Sequence, residues 1–295
     1  MYNRCFFHGR LSAMALLSLM LITMVGCTNS TDHMRKRLGA ITDARLVRVI
    51  NDHCAATGGL ETWAQTDQIN GKAIATILDQ HGSQTYIDQK HRIFLGEQPA
   101  IEISGIAPLG TKVEKMDPSG QVSIVKTDGK KTVEIQNWKA QFDSALNMRL
   151  LLQAVISPAA LLGEEVNLDY LGTERVAGRL CHKIGITGGL LGRPQEPLDT
   201  SKDLMVVWID VQENLVSHLW LRYHTIEDNK TLGYLAANVS DYRSVSSQLI
   251  LPFNIEYVFS DKYQQFHRKH YLVMEFSQWQ GITEDKGMFQ KLLNK

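Results

Sequence analysis

QLILPFNIEYVFS, residues 248–260, is the stretch that decides the fold. Its odd positions are Leu249, Leu251, Phe253, Ile255, Tyr257 and Phe259 without exception, while the even set is mixed and includes Asn254 and Glu256. A period of two marks a β-strand, because successive side chains point to opposite faces of a sheet. One face of this strand is strongly apolar, as in an antiparallel sheet with one side covered. An earlier segment repeats the pattern more weakly, with Leu215, Leu219, Leu221 and Tyr223 opposed to His218, Trp220 and Arg222. Near the end of the chain, Leu272, Met274 and Phe276 share a face.

From Ile69 onward the chain breaks into short alternating runs punctuated by Gly, Asp, Asn and Pro. These predict strands near 69–78, 84–94, 100–105, 110–117, 121–127, 131–136, 167–175, 179–187, 203–211, 215–226, 231–243, 248–260 and 266–279, in an α+β, mainly β chain of about 11–13 antiparallel strands. Asp117-Pro-Ser-Gly120 and Asp128-Gly129 are turns with a mechanism, since Pro fixes one dihedral and Gly accepts positive φ. One segment interrupts the sheet. FDSALNMRLLLQAVISPAALL, residues 142–162, reads as a helix kinked before Pro158, with Leu146, Met148, Leu150, Leu151, Leu152, Val155 and Ile156 on nearly every side. A helix apolar all round must be covered on more than one face. Among strands, that places it in the concave side of a strongly curved sheet, as a lid or plug.

The N-terminus reads differently. Arg4 and Arg10 form a basic region, and an apolar run from Leu11 to Val25 comes next, interrupted by Ser12, Ser18 and Thr23. That is an export signal, weaker than a stable spanning helix of about 20 apolar residues. Met24-Val25-Gly26-Cys27 resembles the bacterial lipobox, with Met24 where Leu is usual, and implies lipidation of Cys27 after removal of residues 1–26. A thiolate is the right nucleophile for thioether formation, and several acyl chains give an anchoring strength that one chain does not. In lipoproteins of this kind an Asp after the cysteine marks inner-membrane retention; Thr28 stands there instead, which points to the outer membrane, facing the periplasm. The expected organisation is a signal at 1–26, a lipid-anchored tether at 27–40 and one domain at 41–295. That domain opens with a helix at 41–56, stopped by Gly58-Gly59, and a short helical piece at 60–65.

The 295-residue chain has 31 basic and 31 acidic residues. Loss of the signal removes two of the former and none of the latter, leaving a formal charge of −2. With no basic stripe, nucleic acid is excluded as a partner. Cys5 leaves with the signal and Cys27 carries lipid. Cys54 and Cys181 remain as a candidate disulfide worth a few kcal/mol, with two buried free thiols as the alternative, since sequence does not supply the Cα separation.

GTERVAGRLCHKIGI (172–186), VVWIDVQENLVSHLWLRY (206–223) and DYRSVSSQLILPFNIEY (241–257), with GGLETW (58–63) after an amphipathic helix, resemble successive elements of the LolA/LolB-like lipoprotein-sorting and lipoprotein-carrier superfamily. The resemblance implies an unclosed half-barrel, a helical lid and a hydrophobic cavity for acyl chains of lipids or lipoproteins. No single functional residue carries over from it.

Motifs with chemistry are few. Cys181-His182 and His267/His270 each put their members on opposite faces of a strand, so neither is a metal pair, and no metal or cofactor is expected. Glu164-Glu165 has no base, nucleophile or phosphate loop beside it. Gly188-Gly-Leu-Leu-Gly192 and the adjoining RPQEPLDTSKD form a long loop, at the cavity mouth or simply on the surface. A membrane-anchored, non-enzymatic lipoprotein is therefore expected, acting in envelope lipid or lipoprotein transport or sorting, with other envelope proteins as further partners. It would bind an apolar ligand against Leu146, Met148, Leu150, Leu219, Leu221, Tyr223, Leu251, Phe253, Ile255, Tyr257 and Phe259. The alternative is an envelope scaffold whose apolar face is permanently filled.

Overall fold

A computed structural model of the chain describes residues 30–78, 81–95, 99–107, 110–188, 204–224 and 231–283. The alternating runs become β1 (Gln68–Leu78), β2 (Gln84–Phe94), β3 (Ala100–Ala107), β4 (Gly110–Met116), β5 (Val122–Asp128), β6 (Lys131–Glu134), β7 (Val166–Val176), β8 (Arg179–Gly188), β9 (Leu204–Asp210), β10 (Val216–His224), β11 (Thr231–Ser244), β12 (Ile250–Ser260) and β13 (Phe266–Ile282). They form one 13-stranded sheet in the order β6-β5-β4-β3-β2-β1-β13-β12-β11-β10-β9-β8-β7, antiparallel throughout. The first and last strands meet at the centre, Gln68 opposite Ile282. The edges, β6 and β7, do not pair, so the sheet is open.

That order dictates where the plug goes. The chain leaves the sheet at one free edge, β6, and re-enters at the other, β7. Its connection is α4 (Trp138–Val155) and α5 (Ser157–Leu161), which must cross the whole sheet. Asn137 caps α4 by accepting a hydrogen bond from the Ala140 amide at 3.1 Å, and Pro158 stands in the first turn of α5, where a missing N–H costs nothing. α4 touches β4 and β5 on one wing and β10, β11 and β12 on the other. Laid flat, the strands between β5 and β10 would span roughly 38 Å, against a helix about 10–12 Å across. The sheet is therefore wrapped around the helix, as the all-round apolar character of residues 142–162 requires.

Three helices precede the sheet: α1 (Ser30–Ala40), α2 (Ala44–Ala56) and α3 (Leu60–Gln65). Asp43 caps α2 through the Arg45 amide at 2.8 Å, and the stripe Leu46, Val49, Ile50 and Cys54 is buried in the concave core with Trp63 of α3. α1 falls where the sequence suggested only a polar tether. Its apolar side is merely Met34 and Leu38, one turn apart, but it is held from outside: Arg37 Nη2 donates to the Val166 carbonyl at 2.6 Å, and Arg35 pairs with Glu61.

Of the two alternatives for Cys54 and Cys181, the structure takes the second: no disulfide joins them, and both thiols are free and buried. Cys181 shares its strand face with Lys183 rather than with the core residues Ile184 and Ile186. It sits in a second, convex cluster with Trp208, Trp220 and Val258, while Cys54 lies in the concave core. The sheet stands between them. Burial pushes the Cys54 thiol up to about 12 and raises Cys181 as well, so both stay protonated.

Candidate ligand cavity

Between α4 and the β1–β5 wing lies a cavity of about 340 Å³. Register explains its floor. Tyr257 of β12 stands opposite Leu272 of β13, and Leu272 opposite Ile77 of β1; Met274 opposes Ala75, and Ala75 opposes Ile87 of β2. Further out, Gln89 opposes Gly105 of β3, Gly105 opposes Lys112 of β4, and Lys112 opposes Lys126 of β5. The roof is Ser144, Asn147, Met148 and Leu151 of α4. Gly105 of β3 lines the cavity with no side chain to fill it. Ala73 and Ala75 of β1 are buried small residues on the face of Ile77.

The roof is fixed over the floor by two tyrosines. Tyr257 Oη donates to the Asn147 carbonyl at 3.0 Å, and Tyr271 Oη donates to Asn147 Oδ1 at 3.3 Å. Burial raises the Tyr257 hydroxyl well above its ordinary range, so it remains a donor. Met148 and Tyr257 are the residues of the sequence-derived set that line the cavity. Leu146, Leu150, Leu219, Leu221, Leu251, Phe253 and Ile255 are buried in the concave core where α4 leans on the opposite wing. Phe259 keeps their parity but is 50% exposed, with its ring centroid 5.2 Å from that of Tyr271. Only the backbone of Tyr223 is described, in β10; its side chain and the whole of Cys27 lie outside the described residues. Sequence reasoning missed Ile77, Ile87, Ile103, Leu151, Leu272 and Met274 as lining. The signal for Leu272 and Met274 was the apolar strand face they share with Phe276.

The other motifs have structural partners. His182 Nδ1 pairs with Tyr170 Oη at 3.0 Å. Trp208 Nε1 donates to Glu174, and Trp220 Nε1 donates to the Asp261 carbonyl at 3.0 Å, both on the convex face. Glu164 and Glu165 are exposed between α5 and β7. The side chains of His267 and His270, and residues 189–203, lie outside the described residues. Among the described residues no group of three or more His, Cys, Asp or Glu is placed to hold a metal, and no helix is long and apolar enough to cross a membrane.

No protein-family model matches the sequence, and no curated protein matches it as a relative. Among solved structures, the chain is similar to an outer membrane lipoprotein-sorting protein domain from Vibrio parahaemolyticus, with a TM-score of 0.48 and 8% identity over 83% of this chain and 96% of that one. A DUF1329 family protein from Desulfovibrio piger gives a TM-score of 0.48 and 8% identity over 82% and 95% of the two chains. A LolA superfamily protein from Nitrosomonas europaea gives 0.42 and 10% over 79% and 97%. At these identities the likeness is one of fold alone.

Proposed function

We propose that this chain is an envelope lipoprotein, anchored through Cys27, that shields an acyl chain in the cavity between α4 and the β1–β5 wing. The observation that carries the reading is the cavity itself, roofed by Met148 and Leu151 and floored by Ile77, Ile87, Leu272 and Met274. Burial of aliphatic chain at about 0.8 kcal/mol per CH₂ drives binding without a dedicated polar motif. A cavity of about 150 Å³ takes a benzene ring, so one more than twice as large holds on the order of a dozen carbons. A filled scaffold is the second reading, and the opposite wing favours it: Leu219, Leu221, Leu251 and Ile255 are 0% exposed beneath the helix.

One experiment tests the anchor common to both readings, and a second separates them. Cys27→Ser is expected to release the chain from the membrane fraction, and its persistence there would remove the anchor. The released protein, purified without detergent and examined by native mass spectrometry, is expected to carry lipid that Met274→Trp displaces while the fold survives. A clean apo mass with no uptake of added lipid would select the scaffold.

A further inference from the structure

The cavity is not uniform along its length. At one end are Ile77, Ile87, Leu272 and Met274; at the other, β4 and β5 set Lys112 directly opposite Lys126, with Glu114 beside them. Like charges facing each other across a strand pair disfavour the sheet unless something negative intervenes. Glu114 answers one of them, with its carboxylate 2.7 Å from Lys112 Nζ. Among the described residues no carboxylate lies within ion-pair distance of Lys126, so this end carries a net positive charge. α4 arrives from the β6 edge, which places its first turns over the same wing. There Ser144, 7% exposed, lines the cavity with an Oγ that has no hydrogen-bond partner among the described residues. A buried hydroxyl without a partner is costly, and an oxygen of a bound head group would satisfy it.

We infer that the occupant is a single-chain amphiphile with an anionic head, its chain lying towards Leu272 and Met274 and its head held by Lys126, Lys112 and Ser144 Oγ. This rests on the cavity reading above and adds to it the class of ligand. A cationic head would need Glu114, which Lys112 already occupies. A volume of about 340 Å³ accommodates one chain of this length rather than two.

The test titrates the Cys27→Ser chain with twelve-carbon probes that differ only at the head. Dodecyl phosphate and dodecanoate are expected to bind at least about tenfold tighter than dodecanol, and dodecyltrimethylammonium no tighter than dodecanol. Whichever anion binds better identifies the head as phosphate or carboxylate. Lys126→Gln, a surface change that leaves the core alone, is expected to cut the anion advantage to within about threefold, and Ser144→Ala to reduce it further. If dodecanol equals dodecyl phosphate in the unsubstituted cavity, the head site is overturned while the acyl-chain reading stands. Tighter binding of two-chain dilauroyl phosphatidate than of dodecyl phosphate overturns the single-chain part. Failure of every probe to bind overturns the cavity reading itself.

Discussion

Unfolding midpoints in urea are expected to fall steeply between pH 6.5 and about 4, because three histidines are buried in the neutral state. Burial pushes His53 down to about 4, opposed only by its contact with the Asn214 carbonyl. Burial alone takes His91 down to about 3. Burial takes His218 down to about 4, with the positive charge of Arg179 adding to it. The unfolded chain therefore binds protons at pH 5 that the native state refuses, and stability falls as the pH drops through this window. Each tenfold loss of proton affinity on folding is worth about 1.36 kcal/mol, so three such rings together cost on the order of several kcal/mol by pH 5. At pH 5 the three contribute about equally, and His91 offers the clearest substitution. Its ring stands edge-on to Phe276 at 5.2 Å and near Trp279 at 6.5 Å, and Nε2 contacts Gln89 Oε1 at 3.0 Å. His91→Phe keeps that packing and removes its titration, so it should remove about a third of the pH dependence. A midpoint that does not move between pH 7 and 5 would mean that these rings are hydrated, and that the wing around His91 opens readily.

The same histidine shows what was legible in the sequence and what was not. Strand parity assigns His91 the face of Ile87 and Ile93, and parity is visible in any alternating run. All thirteen strands and the plug helix derive from it, because a period of two and an all-round apolar helix leave little freedom in where side chains go. Parity says which face a residue takes but not what stands opposite. The greasiest strands, β10 and β12, drew attention to the wing that α4 fills, whereas the open space lies over the wing that holds Gly105. A run that reads as weakly apolar thus marks the cavity better than one that reads as strongly apolar. The choice between disulfide and free thiols stayed open for a related reason. An even cysteine count says nothing of face, and Cys181 has the parity of Lys183. α1 was illegible because it is held by contacts distant in sequence, Arg37 to Val166 and Arg35 to Glu61, rather than by a stripe of its own.

Gly71→Val is expected to be the most damaging single substitution in the centre of the sheet. A Cβ at Gly71 would lie 2.4, 2.6 and 2.9 Å from three atoms of the Trp279 ring on the neighbouring strand. Such approaches do not occur, so the indole must move. It has nowhere to go. Trp279 is 4% exposed, stacks on Phe276 at 4.2 Å, and spends its Nε1–H on the Pro252 carbonyl of β12 at 2.8 Å. Displacing it loses that hydrogen bond and the stacking and strains the β1–β13 pairing that joins the two halves of the sheet, a cost of about 3 kcal/mol or more. The overlap is specific to one pair of side chains, which gives the prediction a second arm. Trp279→Leu is itself destabilising, since it leaves space over Gly71, but Gly71→Val in that background should cost far less than in the wild type. A coupling of at least about 1.5 kcal/mol in the double-mutant cycle is expected from urea midpoints. Additive losses would mean that Gly71 is needed for its backbone rather than for the indole, and that the centre of the sheet is held by strand pairing alone.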